Sequence, residues 1–167
     1  MSRLLTRTEA QAAQKALDEC VEQAQQSKCL RAKCGSVVVD RNGAITGRGH
    51  NGPPAQCAMP ECLKDLWPAG FRSDRTCCVH AEQRAIADTL ASHGPIEAGS
   101  TIFFLRTGPD GSPESAGVPY CTICSKMALD VGIEEFVLLH LEGPTAYGAA
   151  EYNELSFAHA GPPEPLD

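Results

Sequence analysis

His80 and Glu82 stand two residues apart in Cys-Cys-Val-His-Ala-Glu-Gln-Arg-Ala-Ile-Ala (77–87), at the head of an amphipathic helical pattern. Cys121 and Cys124 stand three apart in Pro-Tyr-Cys-Thr-Ile-Cys (119–124), at the head of another. One imidazole and two thiolates are the donor set of an open zinc site, which keeps a fourth position for water or substrate. Two thiolates also balance the charge of Zn²⁺, so a bound water loses its proton at moderate cost. Glu82 is not needed as a ligand and is free to carry that proton. The expected ligands are therefore His80, Cys121 and Cys124, and the expected catalytic residue is Glu82.

Cys-x-x-Cys alone equally suits a redox pair or half of a structural zinc site. A closed structural site would need a fourth ligand from the remaining cysteines, and it would leave Glu82 without a task. The catalytic reading requires two helix N-termini to converge at one edge of a sheet. There Cys121 and Cys124 share one side of the first turn, and the helix dipoles favour thiolates.

The surrounding pattern supplies such elements. Residues 6–26 read as a helix, with Thr6 and Glu9, or Thr8 and Gln11, as a capping box and Ala10, Ala13, Leu17, Val21 and Ala24 as its apolar face. Residues 36–40 form a β-branched run, and Asn42-Gly43 signals a two-residue hairpin into residues 44–48. From Val79 the helical period returns through Ala81, Ala85, Ile86, Thr89 and Leu90, and Gly94-Pro95 stops it. Strands follow at 101–105 and 135–139, with a helix from Cys121 to Val131 between them, so a right-handed parallel crossover is expected. Residues 107–118 read as an exposed flap, and a weak helix is expected at 147–155. The chain reads as one domain over 1–167, with 160–167 as a disordered tail.

The totals limit the function classes. Fourteen Lys and Arg against 21 Asp and Glu give a net charge of −7, with the arginines scattered, which disfavours a nucleic-acid partner. A small-molecule substrate is expected instead. No apolar run approaches the roughly 20 residues of a membrane span, and the start of the chain lacks a secretory pattern, so the expected location is cytoplasmic. Nine cysteines suit metal ligation better than a disulfide framework.

With these motifs in place, the chain resembles the zinc-dependent cytidine and deoxycytidylate deaminase superfamily, whose signature is a His-x-Glu helix followed by Pro-Cys-x-x-Cys. Gly49-His50-Asn51-Gly52-Pro53-Pro54, taken with Val79 to Ile86, resembles the deoxycytidylate deaminase branch. The resemblance covers about Ser27 to Leu139. It implies a cytidine-deaminase-like α/β fold, a three-layer α/β/α sandwich with a mixed sheet of about five strands. It also implies hydrolytic loss of an exocyclic amine as ammonia, with hydroxide on the zinc of His80, Cys121 and Cys124 attacking C4 and Glu82 shuttling the proton. Asn51 is similar to the asparagine that binds the sugar, and backbone groups near Ala81 and Cys121 would hold the base. Two departures bear on the substrate: Tyr120 stands between Pro119 and Cys121, and the 107–118 flap is longer than the branch shows.

Deoxycytidylate is thus the first expected substrate. A purine base, an antibiotic or a pterin is the alternative, and a non-catalytic zinc module of the same fold is a third reading. Arg48 and Arg106 are the candidate cations for a 5′-phosphate, and the resemblance implies a homo-oligomer. Residues 52–77 make too long an irregular segment to go without a clamp. Some members of the branch carry a second, structural zinc near this segment. Cys29, Cys57, Cys62 and Cys78 are the expected ligands of such an ion here. Cys20 and Cys34 read as core residues, with Cys34 a substitute ligand.

Overall fold

The computed structural model describes residues 1–57, 60–66 and 77–159. The hairpin is longer than its β-branched run implies: β2 (Lys33–Val39) pairs with β3 (Ile45–His50), Val37 opposite Arg48. Asp40 Oδ1 closes the turn by accepting from the amides of Asn42 and Ala44 at 2.8 and 2.9 Å, and Gly43 supplies the positive φ of 83°.

Five further strands complete one sheet. β4 (Thr101–Thr107) lies antiparallel to β2, and β6 (Glu135–His140) lies parallel to β4 on its other side. Beyond β6 come β7 (Gly143–Gly148) and a two-residue edge strand, β1 (Arg3–Leu4). The order is β1-β7-β6-β4-β2-β3, with β5 (Pro113–Glu114) paired to the end of β4. The sheet is mixed, as expected, and has seven strands where about five were anticipated.

Alternation along β4 divides the core. Phe103 and Leu105 face α1 (Arg7–Gln25) and pack with Ala13, Ala16, Leu17 and Cys20. Ile102 and Phe104 face the opposite layer, which holds α2 (Ala81–Ser92), α3 (Thr122–Asp130) and α4 (Ala149–His159). Each large apolar side chain buried this way contributes about 1.5–3 kcal/mol. Thr6 caps α1 in the box with Glu9, the first of the two expected pairings.

Two expectations need correction. The helix predicted at 147–155 begins at Ala149, because Thr145 to Gly148 are held as strand by pairing with β6, Tyr147 opposite Phe136. The flap at 107–118 folds back as a hairpin, with Arg106 opposite Glu114, and the Ala116 amide donates to Leu139 O at 2.8 Å. Between Gly52 and Cys77 the described residues form only two short 3₁₀ turns, Pro54–Gln56 and Leu63–Leu66, as expected of that segment. The tail at 160–167 and Trp67 lie outside the described residues. Among the described residues no helix is long and apolar enough to cross a membrane.

Glycines set how closely α2 approaches the sheet. A Cβ on Gly49 would collide with the Ala81 carbonyl and the Ala85 amide, and one on Gly47 with the Ala85 carbonyl and Thr89. The helix therefore rides on β3 at backbone contact, which a side chain at either position would prevent.

Candidate active site

His80 and Cys121 are the N-cap residues of α2 and α3, so the two helices begin at the same corner. Gln83 Oε1 accepts from the His80 amide at 3.0 Å, which fixes the backbone before the first turn. Cys121 Sγ accepts from the Cys124 amide at 3.4 Å and so caps α3 while pointing into the site.

The three expected ligands meet. His80 Nδ1 lies 3.2 Å from Cys121 Sγ and 3.3 Å from Cys124 Sγ, and the two sulfurs are 3.2 Å apart. Zn–S bonds near 2.3 Å and Zn–N bonds near 2.0 Å at tetrahedral angles set such donor atoms roughly 3.5–3.8 Å apart. The observed set fits a zinc ion after outward shifts of about half an ångström. Its charges fit too. The Cys121 thiol is held down to about 4, first by the hydrogen bond with Cys124 and then by His80, while that contact with Cys121 raises His80 to about 9. A divalent cation replaces the shared protons that hold this trio together.

Glu82, in the first turn of α2, is 4% exposed and sits beside the ligands without being one of them. Burial, and then the nearby Cys121 sulfur, push its carboxyl up to about 7, against the opposing pull of His80. Such a group can both take and give a proton near neutral pH.

Above Glu82 opens a cavity of about 320 Å³, whose wall includes Asn51, Ala81, Phe104, Arg106 and Tyr120. A second cleft, about 250 Å³ beside α1, contains no histidine or cysteine in its wall. Asn51 is tightly engaged: its Oδ1 accepts from Ser27 Oγ at 2.7 Å and from the Cys34 amide at 2.8 Å, and its Nδ2 donates to Ala32 O at 2.8 Å. One Nδ2 hydrogen remains outside these bonds. Arg106 reaches the cavity but is paired with Glu114, which accepts at 3.0 and 2.8 Å. Arg48 is not in the cavity wall; it pairs with Glu19 at 3.1 Å.

The expected second set of ligands is gathered only in part: Cys29 and Cys78 are in hydrogen-bond contact, but the four cysteines do not close into one cluster. Cys29, Cys62 and Cys78 contribute to the cavity wall, whereas Cys57 is exposed and outside it. Cys77 and Cys78 sulfurs are 3.8 Å apart. Among the described residues, His80, Cys121 and Cys124 are the one group of three or more His, Cys, Asp or Glu ligand atoms within 4.8 Å of one another. Cys20 is fully buried and donates to Phe103 O at 3.7 Å, as a core residue should. Burial pushes the Cys34 thiol up to about 12, which opposes its use as a substitute thiolate.

Sequence reasoning missed Arg84. Its guanidinium donates to His50 O, Gly52 O and Pro53 O at 2.8, 3.1 and 2.7 Å, tying the loop that carries Asn51 to the catalytic helix. The bridge between Gly52 and Val79 makes a second tie just before His80. A cation four residues after the ligand histidine was the available signal, but its acceptors are main-chain carbonyls, which leave no trace in side-chain patterns.

The sequence profile described as the cytidine and deoxycytidylate deaminase zinc-binding region matches residues 10–140, which include all three ligands and Glu82. No curated protein matches the chain. Among solved structures, the apo dCMP deaminase of cyanophage S-TIM5 is 25% identical at a TM-score of 0.50, over 79% of this chain and 82% of that one. The same phage enzyme in complex with dCMP and dUMP aligns at 24% identity and TM-score 0.50, over 79% and 81%. A cytidine deaminase from Burkholderia pseudomallei shares 17% identity at TM-score 0.54, over 89% and 96%, a likeness of fold. A profile match over most of the chain, around a ligand trio that fits zinc, identifies the protein as a zinc-dependent hydrolytic deaminase belonging to the cytidine and deoxycytidylate deaminase family.

Proposed function

We propose that the protein converts dCMP to dUMP with release of ammonia. The observation that carries this reading is the buried Glu82 carboxyl beside the His80, Cys121 and Cys124 trio, at the floor of a cavity large enough for a nucleotide base. The likeness to the cyanophage dCMP deaminase supports the choice of deoxycytidylate within the family.

Zinc, when bound by these three residues, supplies the Lewis acidity that makes water nucleophilic near neutral pH. The remaining work belongs to the chain. Glu82 accepts the first proton of the attacking water and delivers it to ring N3, then takes the proton of the hydroxyl now on C4 and gives it to the exocyclic amine, so that C4=O forms as the C4–N bond breaks and ammonia leaves. Ala81 and Phe104 exclude water around the base, and the remaining Nδ2 hydrogen of Asn51 is available to the sugar. Tyr120 borders the same cavity, which supports a second reading: another aminated heterocycle of different outline.

An ammonia-release screen separates the two readings. The panel is cytosine, cytidine and deoxycytidine, their mono- and triphosphates, guanine and adenine. The highest kcat/KM is expected for dCMP; guanine or adenine in first place would replace this reading with the second.

A further inference from the structure

Three cations contribute to the wall of the cavity above Glu82, and two are already committed. Arg106 donates twice to Glu114 Oε2, at 3.0 and 2.8 Å. Arg31 Nη1 donates to Asp65 Oδ1 at 2.7 Å. Lys64, in the 3₁₀ turn Leu63–Leu66, has no carboxylate partner among the described residues. It is exposed at the mouth, yet near enough for its charge to act on His80.

A 5′-phosphate needs such a group here. The chain carries a net charge of −7, and the cavity wall holds the Glu82 carboxyl, so a dianion entering the cleft meets repulsion. A phosphate drawn to Arg106 or Arg31 would compete with a carboxylate already in place. An ammonium on a flexible stem offers three donors without that competition, and its exposure lets the phosphate stay partly hydrated while the base is buried.

Resting on the deoxycytidylate reading above, we infer that Lys64 is the specificity residue that selects a nucleoside 5′-monophosphate over the free nucleoside, by pairing with the phosphate at the cavity mouth. It acts on binding and leaves the chemical step to Glu82. Its effect falls on KM rather than kcat, and the preference weakens as salt screens the pair.

The test uses zinc-loaded, full-length protein and its Lys64→Met, Lys64→Glu and Lys64→Arg variants. Binding of dUMP and deoxyuridine is measured by calorimetry, and KM and kcat are measured with dCMP. Lys64→Met is expected to weaken dUMP and raise KM for dCMP by about 10-fold to 100-fold, the range of one charge-assisted hydrogen bond. Deoxyuridine affinity and kcat should stay within about twofold. Lys64→Glu should lose more, and Lys64→Arg should retain the preference. A Lys64→Met or Lys64→Glu variant that weakens both ligands equally, or that keeps the wild-type preference for dUMP, overturns the assignment of Lys64 alone. Wild-type protein that binds dUMP no more tightly than deoxyuridine refutes the monophosphate reading and this assignment with it.

Discussion

Gly49 lies directly beneath the carbonyl of Ala81, the residue between His80 and Glu82, with no room for a Cβ. The position of the catalytic turn above the sheet is therefore set by a glycine on β3, which is neither a ligand nor a cavity residue.

Gly49→Ala should displace the start of α2 and cost about 1–3 kcal/mol through overpacking. Thermal unfolding should show the loss, and kcat should fall along with it. Gly111→Ala is the contrasting variant: a Cβ there meets nothing within 4 Å, although the φ of 83° still strains it. It should cost about 1 kcal/mol and leave kcat alone.

Glu82→Gln keeps the size of the buried side chain and removes its ability to carry a proton. Turnover is expected to drop by about 10²- to 10⁴-fold. Zinc content should match the wild type, because the carboxylate is not among the three ligands. Metal analysis beside the kinetics checks both halves.

Cys121 has two tasks, as ligand and as helix cap, and two substitutions separate them. Cys121→Ser retains a capping acceptor for the Cys124 amide, whereas Cys121→Ala loses it as well, at a further cost of about 1 kcal/mol. Both should release zinc, and a chelator should lower the stability of wild-type protein but change neither variant. The wild type should hold one zinc per chain, the number of ligand groups gathered among the described residues. A count of two would mean that Cys29, Cys57, Cys62 and Cys78 do close around a second ion.

Asn51→Ala should cost about 1–3 kcal/mol in denaturant unfolding, since it leaves the Cys34 amide and Ala32 O without their partner, while Ser27 Oγ keeps the main-chain carbonyl of residue 51 at 2.8 Å. Asn51→Asp keeps both acceptor contacts and loses only the donor to Ala32, so its cost should be smaller. An equal cost for both would place the weight on the Nδ2 side.

The chemistry was legible in the sequence because it is local. His80 with Glu82, and Cys121 with Cys124, are pairs whose spacing within one turn carries their meaning, and Thr6 with Glu9 announces α1 in the same way. Asn42-Gly43 likewise marks its hairpin. What stayed hidden depends on distant partners. Gly143-Pro144-Thr145-Ala146-Tyr147-Gly148 has little strand character of its own and becomes β7 through pairing with β6. Arg84 addresses backbone carbonyls, and the pairing of Arg106 with Glu114 follows from a strand too short to recognise. The cysteines outside the motifs gave composition without geometry.

Because His80 and Cys121 are the N-caps of α2 and α3, the amides that follow them, at 82–84 and 123–125, belong to the helix turns most exposed to fraying if the ligands separate. Their hydrogen-exchange rates are thus a built-in gauge of metal loading. A spectrum of the resting protein can report how much of a preparation is competent before any substrate is added.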